Sequence, residues 1–494
     1  MNTVLTGILV YILLQLSIGI FVSKKIKTED DYLLAGRSLG VGLATLSVFA
    51  TWFGAETCIG AAGAVYEEGL SGATLDPFGY SLCLVLMGLV FSIPLWRRQL
   101  TTLADLFKQR YSPRVEKLAV LMMVPGTIMW AAAQIRAFGQ VLSATSGFEV
   151  DLTIACAALV VIIYTMYGGL MADVITDAVQ GVALMIGLCI LLTIIVDAGG
   201  GWQPSIASIE PERLVLFKTA ENENWLDILE HWMIPIGGSV IAQELVSRVL
   251  ACRSPQIARQ ACLTGAMLYL SVGLIPVFIG LIGYRLLPGL DHPEQILPQL
   301  AQHYLPTFLY IIFAGALISA ILSTVDSALM AASALLSHNL IVPLLGTIDE
   351  SRKVRIARLT VLSGGMAAYW LALQTDRVHS LVEQASAFGS AGIVTVVVFG
   401  LFTRFGGAYS ATGSLLAGTA IWTLGHYAFD LKTPYLIALA GAIAVYTALA
   451  LLEPKLHKIT DFHIRLLTSI NDVDIISIRK SCAKLKLISV TQHP

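Results

Sequence analysis

Long apolar runs alternate with short polar connections along most of the chain, and each run has the length a helix needs to cross about 30 Å of hydrocarbon. They fall at residues 4–22, 39–65, 72–96, 117–145, 151–170, 172–197, 228–250, 261–287, 306–338, 354–374, 379–403, 408–429 and 434–453. The pattern predicts an all-α polytopic membrane protein with about thirteen transmembrane helices. Basic residues cluster in alternate connections: Lys24, Lys25 and Lys27 after the first run, Arg97, Arg98, Lys108, Arg110, Arg114 and Lys117 after the third, Arg253 and Arg259 after the seventh, and Arg352, Lys353, Arg355 and Arg358 after the ninth. The positive-inside rule makes these connections cytoplasmic and puts the acidic Glu67-Glu68-Gly69 and the stretch from Ser205 to Trp225 outside. The N-terminus is then expected outside and the C-terminus in the cytoplasm, in a bacterial inner (plasma) membrane.

Two runs carry residues that interrupt a helix. In Ala50-Thr-Trp-Phe-Gly-Ala-Glu-Thr-Cys-Ile-Gly-Ala-Ala-Gly63, three glycines and Glu56 fall where mid-bilayer should be, and Pro235-Ile-Gly-Gly238 followed by Gln243-Glu244 does the same in the seventh run. Unwound backbone at membrane depth is tolerated where it lines a cavity or is buried in protein. Small residues would also serve close helix packing, but interruptions five runs apart are what an inverted five-helix repeat produces. The expected organisation is a first helix and cytoplasmic loop (1–38), a first repeat (39–197), an extracellular loop (198–227), a second repeat (228–404), two peripheral helices (405–453) and a cytoplasmic tail (454–494).

Polar residues inside these runs mark candidate chemistry. Ser319, Ser323, Thr324, Asp326 and Ser327 lie in the apolar ninth run, with Ser323 and Ser327 one turn apart and the Ala320 carbonyl a turn before Thr324. This cluster of oxygens, without sulfur or imidazole, suits a hard cation. Back-bonding of the hydroxyls to carbonyls one turn earlier, with Asp326 paired to a basic group, would satisfy the same residues without an ion. At the start of the sixth run Asp177 and Gln180 share a face, and Asp177 is the deeper acid; Asp173, a turn earlier, reads as a solvated or helix N-terminal acid.

Composition agrees with the span pattern. The 494 residues are 56% hydrophobic and 13% charged, with a mean hydropathy of +0.76, outside the range of soluble domains. The formal net charge of -2 says nothing about partners. Seven scattered cysteines without a C-x-x-C pair argue against a disulfide framework or zinc site. The first run lacks a basic n-region and a small-residue cleavage site, so it is expected to be retained as a helix. No His/Cys metal spacing, G-x-S-x-G or P-loop is present, which argues against an enzyme, and the short tail argues against a membrane-bound sensor. The expected partners are a small-molecule solute and the lipid bilayer, with no nucleic acid; the sequence gives no oligomeric state.

Several motifs in order, Asp31-Tyr-Leu-Leu-Ala-Gly-Arg-Ser-Leu-Gly40, Leu103-Ala-Asp-Leu-Phe-Lys-Gln-Arg-Tyr111, Tyr164-Thr-Met-Tyr-Gly-Gly169 with Thr176-Asp-Ala-Val-Gln180, and Ser323-Thr-Val-Asp-Ser327, resemble the sodium:solute symporter family. The resemblance implies the leucine-transporter-type fold and Na+-driven uptake by alternating access, with Na+ as coupling ion and no organic cofactor. It implies a sodium site of carbonyls from Ala50, Phe53 and Ala320 with hydroxyls from Ser323 and Thr324. A second cation, as in some members, would involve Asp177, Ser323, Asp326 and Ser327, although Asp326 stands where certain members carry a hydroxyl.

Within the family, Ala50-Thr-Trp52, Gly79-Tyr-Ser-Leu82, Met129-Trp-Ala-Ala-Ala133 and Trp225-Leu-Asp227 resemble the high-affinity choline transporter branch. The resemblance implies a cation–π cage from Trp52, Tyr80 and Trp130, although Ala242 stands where that branch has a further Trp. Glu56, Gln134, Arg136 and Gln243 complete the expected substrate residues. Arg136 would repel a cation unless Glu56, Asp76 or Glu244 neutralises it, or would instead pair with the carboxylate of an amino or organic acid, as in a proline-like symporter.

Overall fold

A computed structural model describes residues 26–217, 224–374 and 378–453, together with Thr6, Val10, Leu13 and Ser17. Apart from those four positions, the first apolar run lies outside the described residues, as does the expected cytoplasmic tail. The described chain is nearly all helix. Its one β-type feature is an isolated parallel bridge between Leu39 and Cys252, in which Leu39 N–H donates to the Ala251 carbonyl and Arg253 N–H to the Leu39 carbonyl, each at 3.1 Å. That bridge ties the start of one broken span to the end of the other.

The first broken span begins as α1 (Val41–Trp52). The chain leaves the helical conformation at Phe53 (φ -78°, ψ 74°) and resumes through wide π turns over Glu56–Ala61 into the helix Ala62–Glu68. α2 (Pro113–Ser146) starts with Ser112 accepting from Val115 N–H and Pro113 in the first turn, the position where a missing amide costs nothing. α3 (Val150–Ala198) holds the fifth and sixth apolar runs as two helices that meet at a kink at Gly169, whose backbone is not helical (φ 63°, ψ 168°). Only glycine reaches that conformation readily, and a Cβ there would meet Ile26 and Tyr32.

The second broken span comprises Trp225–Met233, a π turn at Ile234–Gly238, and α4 (Gln243–Ala251). Its two halves are bent by 41°. α5 (Pro255–Leu286) is capped by Ser254, and α6 (Thr307–Ala334) is the most enclosed of the long helices. The later helices are Glu350–Ala372, Val378–Ala387 with Ser390–Phe402, Ala408–Tyr427 and Pro434–Glu453. Among the described residues, seven helices are long and apolar enough to cross a membrane, and the bent pair makes an eighth span. Breaking a span leaves pieces such as α1 too short to cross alone, and the two runs of α3, either side of the Gly169 kink, count as a single helix.

α6 packs against α2 and α3, while α5 packs against α1. The second half of the first broken span lies so close to α5 that a Cβ at Gly280 would sit 2.6 Å from the Ala62 carbonyl oxygen. Gly280→Val should therefore force the two apart and destabilise the protein by about 1–3 kcal/mol. A lower thermal midpoint of the detergent-purified variant is the expected result, and an unchanged midpoint would show that the crossing yields without strain.

Candidate ion and substrate site

Ending α1 at mid-depth strands backbone groups that must find partners in other helices. Gly54 N–H turns back to the Trp52 carbonyl at 2.9 Å, and Ala55 N–H donates to Gln134 Oε1 on α2 at 3.1 Å. The Ala50 carbonyl accepts from Ser323 Oγ at 3.4 Å and Thr324 Oγ1 at 3.5 Å, and Thr324 Oγ1 also donates to the Ala320 carbonyl at 3.2 Å. α6 approaches this closely because residue 54 is glycine: a side chain there would collide with the Thr324 hydroxyl. The structure thus brings Ala50, Ala320, Ser323 and Thr324 together, with Phe53 at the break. Gln134, expected to face substrate, caps the broken helix instead.

A second polar cluster adjoins the first. Asp177 accepts from Ser323 Oγ and, at 2.7 Å, from Ser47 Oγ. Arg248 on α4, only 1% exposed, lies between α3 and α6. Its Nη2 contacts Asp173 and Ser327 and sits 3.6 Å from Asp177 Oδ2, while Ser327 Oγ donates to Asp173 at 3.1 Å. Asp326 is also fully buried beside these groups.

The expectation of a solvated Asp173 is overturned: it is wholly buried. Asp173 does lie in the first turn after the Gly169 kink, at the helix N-terminus expected for it, but that helix start is enclosed by protein and not by solvent. Arg248 was missed altogether. An arginine amid Leu245, Val246, Val249 and Leu250 was the available signal, since charges inside apolar spans are rare and paired.

The three expected cage rings do meet. Ring centroids lie 5.2 Å apart for Trp52 and Tyr80, 6.4 Å for Trp52 and Trp130, and 5.8 Å for Tyr80 and Trp130. Beside them is a cavity of about 60 Å³ lined by Trp52, Trp130, Gln243, Glu244, Ser386 and Phe388, with Ala242 also on its wall. It is far smaller than a typical ligand pocket of roughly 300–1,000 Å³. Tyr80 OH is hydrogen-bonded to Ser386 Oγ at 3.1 Å. Gln243 Oε1 accepts from Leu103 N–H at 2.8 Å, and its amide donates to Ser247 Oγ at 2.9 Å. Glu244 is the one charged residue lining this cavity.

Glu56 and Arg136 lie apart from the cavity. Glu56 Oε1 pairs with His379 Nδ1 at 3.0 Å. Arg136 Nη1 donates to the Ala372 carbonyl at 3.0 Å and faces a separate cavity of about 810 Å³ whose wall includes Glu67, Glu68, Asp291, Glu294 and Glu383. Burial, with a smaller push from Glu56, holds the Glu294 carboxyl above its usual range. Asp76, expected as a counter-charge, accepts from Thr57 Oγ1 at 2.7 Å and Tyr269 OH at 2.8 Å.

A broken helix whose freed carbonyl meets two hydroxyls of a neighbouring span agrees with the family comparison, in which the model of the sodium:solute symporter family matches residues 32–418. The chain belongs to that family. It is similar to the high affinity choline transporter 1 of Homo sapiens, 27% identical over 84% of this chain and 75% of the relative. It also resembles the sodium/pantothenate symporter of Haemophilus influenzae, 24% identical over 85% of this chain and 90% of the relative.

Among solved structures, a Na+-coupled sialic acid symporter in a substrate-bound outward-open state superposes with a TM-score of 0.81 at 20% identity, covering 92% of this chain and 98% of that one. MhsT in complex with L-phenylalanine superposes at 0.56, with 13% identity and coverages of 82% and 97%. These likenesses establish the leucine-transporter-type fold. The symporter is an integral membrane transporter and not an enzyme, and its family implies Na+ as coupling ion.

Asp177→Asn removes a carboxylate that accepts from Ser323 Oγ beside the Ala50 carbonyl. The half-saturating Na+ concentration for uptake should rise several-fold while solute affinity at saturating Na+ changes little. Identical Na+ curves for variant and wild type would reduce Asp177 to a packing role.

Proposed function

We propose that the protein imports a small organic cation of the quaternary-ammonium kind, driven by Na+ bound at the first helix break. The observation that carries this reading is the central cavity between the two broken spans. Its aromatic wall, Trp52 and Trp130, accompanies a single charged side chain, the carboxylate of Glu244. Aromatic faces attract cations, and a lone carboxylate adds to that attraction, whereas a carboxylate solute would find no basic partner on this wall. Arg136, the residue an anion would need, faces the outer cavity. The acidic wall of that outer cavity further favours the approach of cations.

The Na+ ligands we assign are the carbonyls of Ala50, Phe53 and Ala320 and the hydroxyls of Ser323 and Thr324, a neutral set suited to a hard monovalent ion. In this reading residues 39–197 and 228–404 are the two inverted repeats that rock around the site. The segment 198–227 is the extracellular loop, 405–453 are peripheral helices, and the N-terminus lies outside with the C-terminus inside. Each net positive charge moved across about 100 mV contributes roughly 2.3 kcal/mol to accumulation.

Counterflow of labelled choline in proteoliposomes, with and without Na+ and with choline, betaine, amino acids and organic acids as competitors, tests the reading. Trp52→Ala and Trp130→Ala should each weaken solute binding by about 1–2 kcal/mol, and Arg136→Gln should be tolerated. A protein blocked only by carboxylates, with Arg136→Gln the most damaging change, would overturn the cation assignment. Separately, Ser323→Ala combined with Thr324→Ala should leave a folded protein without Na+-stimulated uptake. An unchanged Na+ response in that double variant would overturn the ion site.

A further inference from the structure

We propose that Arg248 is a tethered cation that takes the place of a second Na+, so that the symporter binds one Na+ per molecule. The inference rests on the Na+-coupled reading above and concerns the space beside the first site. A second ion there would be held by Asp177, Ser323, Asp326 and Ser327. The guanidinium of Arg248 already reaches into that set: Nη2 contacts Ser327 and Asp173 and lies 3.6 Å from Asp177 Oδ2. An ion between Ser327 and Asp177 would have to share both ligands with a fixed positive charge.

Nothing in the surroundings lets that charge withdraw. Arginine stays protonated in proteins, and Arg248 is 1% exposed. Removing it would leave Asp173 and Asp177, both without solvent exposure, as uncompensated buried charges. Its backbone belongs to α4, whose exit is pinned to Leu39 by the bridge at Cys252. Asp173 holds the same Nη2, and its Oδ2 also accepts from Ser327 Oγ at 3.1 Å.

The two sites are nevertheless linked. Ser323 donates to Asp177 and also reaches the Ala50 carbonyl. Arg248 therefore balances the charge of Asp177 without entering the neutral oxygen set of the first site, and it sets the ion count there.

The test counts bound ions with Na+ alone, using ²²Na+ binding to the purified full-length protein, so that no assumption about solute enters. One Na+ per molecule with a non-cooperative isotherm is expected for wild type, and two would overturn the proposal. No Na+ binding at all would overturn the symport reading itself, and this inference with it. Arg248→Gln combined with Asp173→Asn removes the tethered charge and its extra acid while leaving Asp177 and the hydroxyls in place. A folded double variant should bind a second Na+. If it folds and still binds one, the guanidinium is not what excludes the ion and the inference fails; if it does not fold, the wild-type count decides.

Discussion

A peptide group inside hydrocarbon must be hydrogen-bonded by the protein, because no water is there to do it. Breaking α1 at Phe53 raises that requirement at the centre of the bundle, and the surrounding helices are arranged to meet it. α2 supplies Gln134 to the Ala55 amide, and α6 supplies Ser323 and Thr324 to the Ala50 carbonyl. The latter bonds are long, 3.4 and 3.5 Å, beyond the usual range for hydroxyl donors. An ion attracting the same oxygens competes with weak bonds, so little must be given up for it to bind.

The same constraint explains what could be read in the sequence. A glycine-rich stretch around Gly54, and Pro235 with Gly237 and Gly238, announce backbone that cannot stay helical, and the hydroxyls of the ninth run stand out because their neighbours are apolar. These are local signals. The use of Gln134 as a backbone cap, the pairing of Glu56 with His379 and the meeting of Asp173 with Arg248 join residues 75 or more positions apart, and no periodicity carries such information. Asp173 does follow a helix start, just after the non-helical Gly169; that this start is buried against Arg248 is set by a distant element and is not a local signal.

Charge is sorted by depth and by element. The cavity on the side of Glu67, Glu68 and Glu383 is strongly acidic. The central cavity has one carboxylate, and the carbonyls of Ala50 and Ala320 with the hydroxyls of Ser323 and Thr324 are uncharged, with Asp177 set behind Ser323. At the opposite end, Asp105 is held below the usual carboxylate range: burial pushes it up, but hydrogen bonds from His338 and from the Thr101 and Thr102 amides outweigh that. Glu56 with His379 and Asp173 with Arg248 are buried acids held by a basic partner, as the low dielectric favours.

Gln243 faces in two directions at once. It lines the central cavity, and its Oε1 accepts the buried amide of Leu103, the first residue of the short helix Leu103–Arg110. A solute that draws this amide group toward itself leaves the Leu103 N–H without a partner, at a cost of about 1–3 kcal/mol, unless the short helix shifts with it.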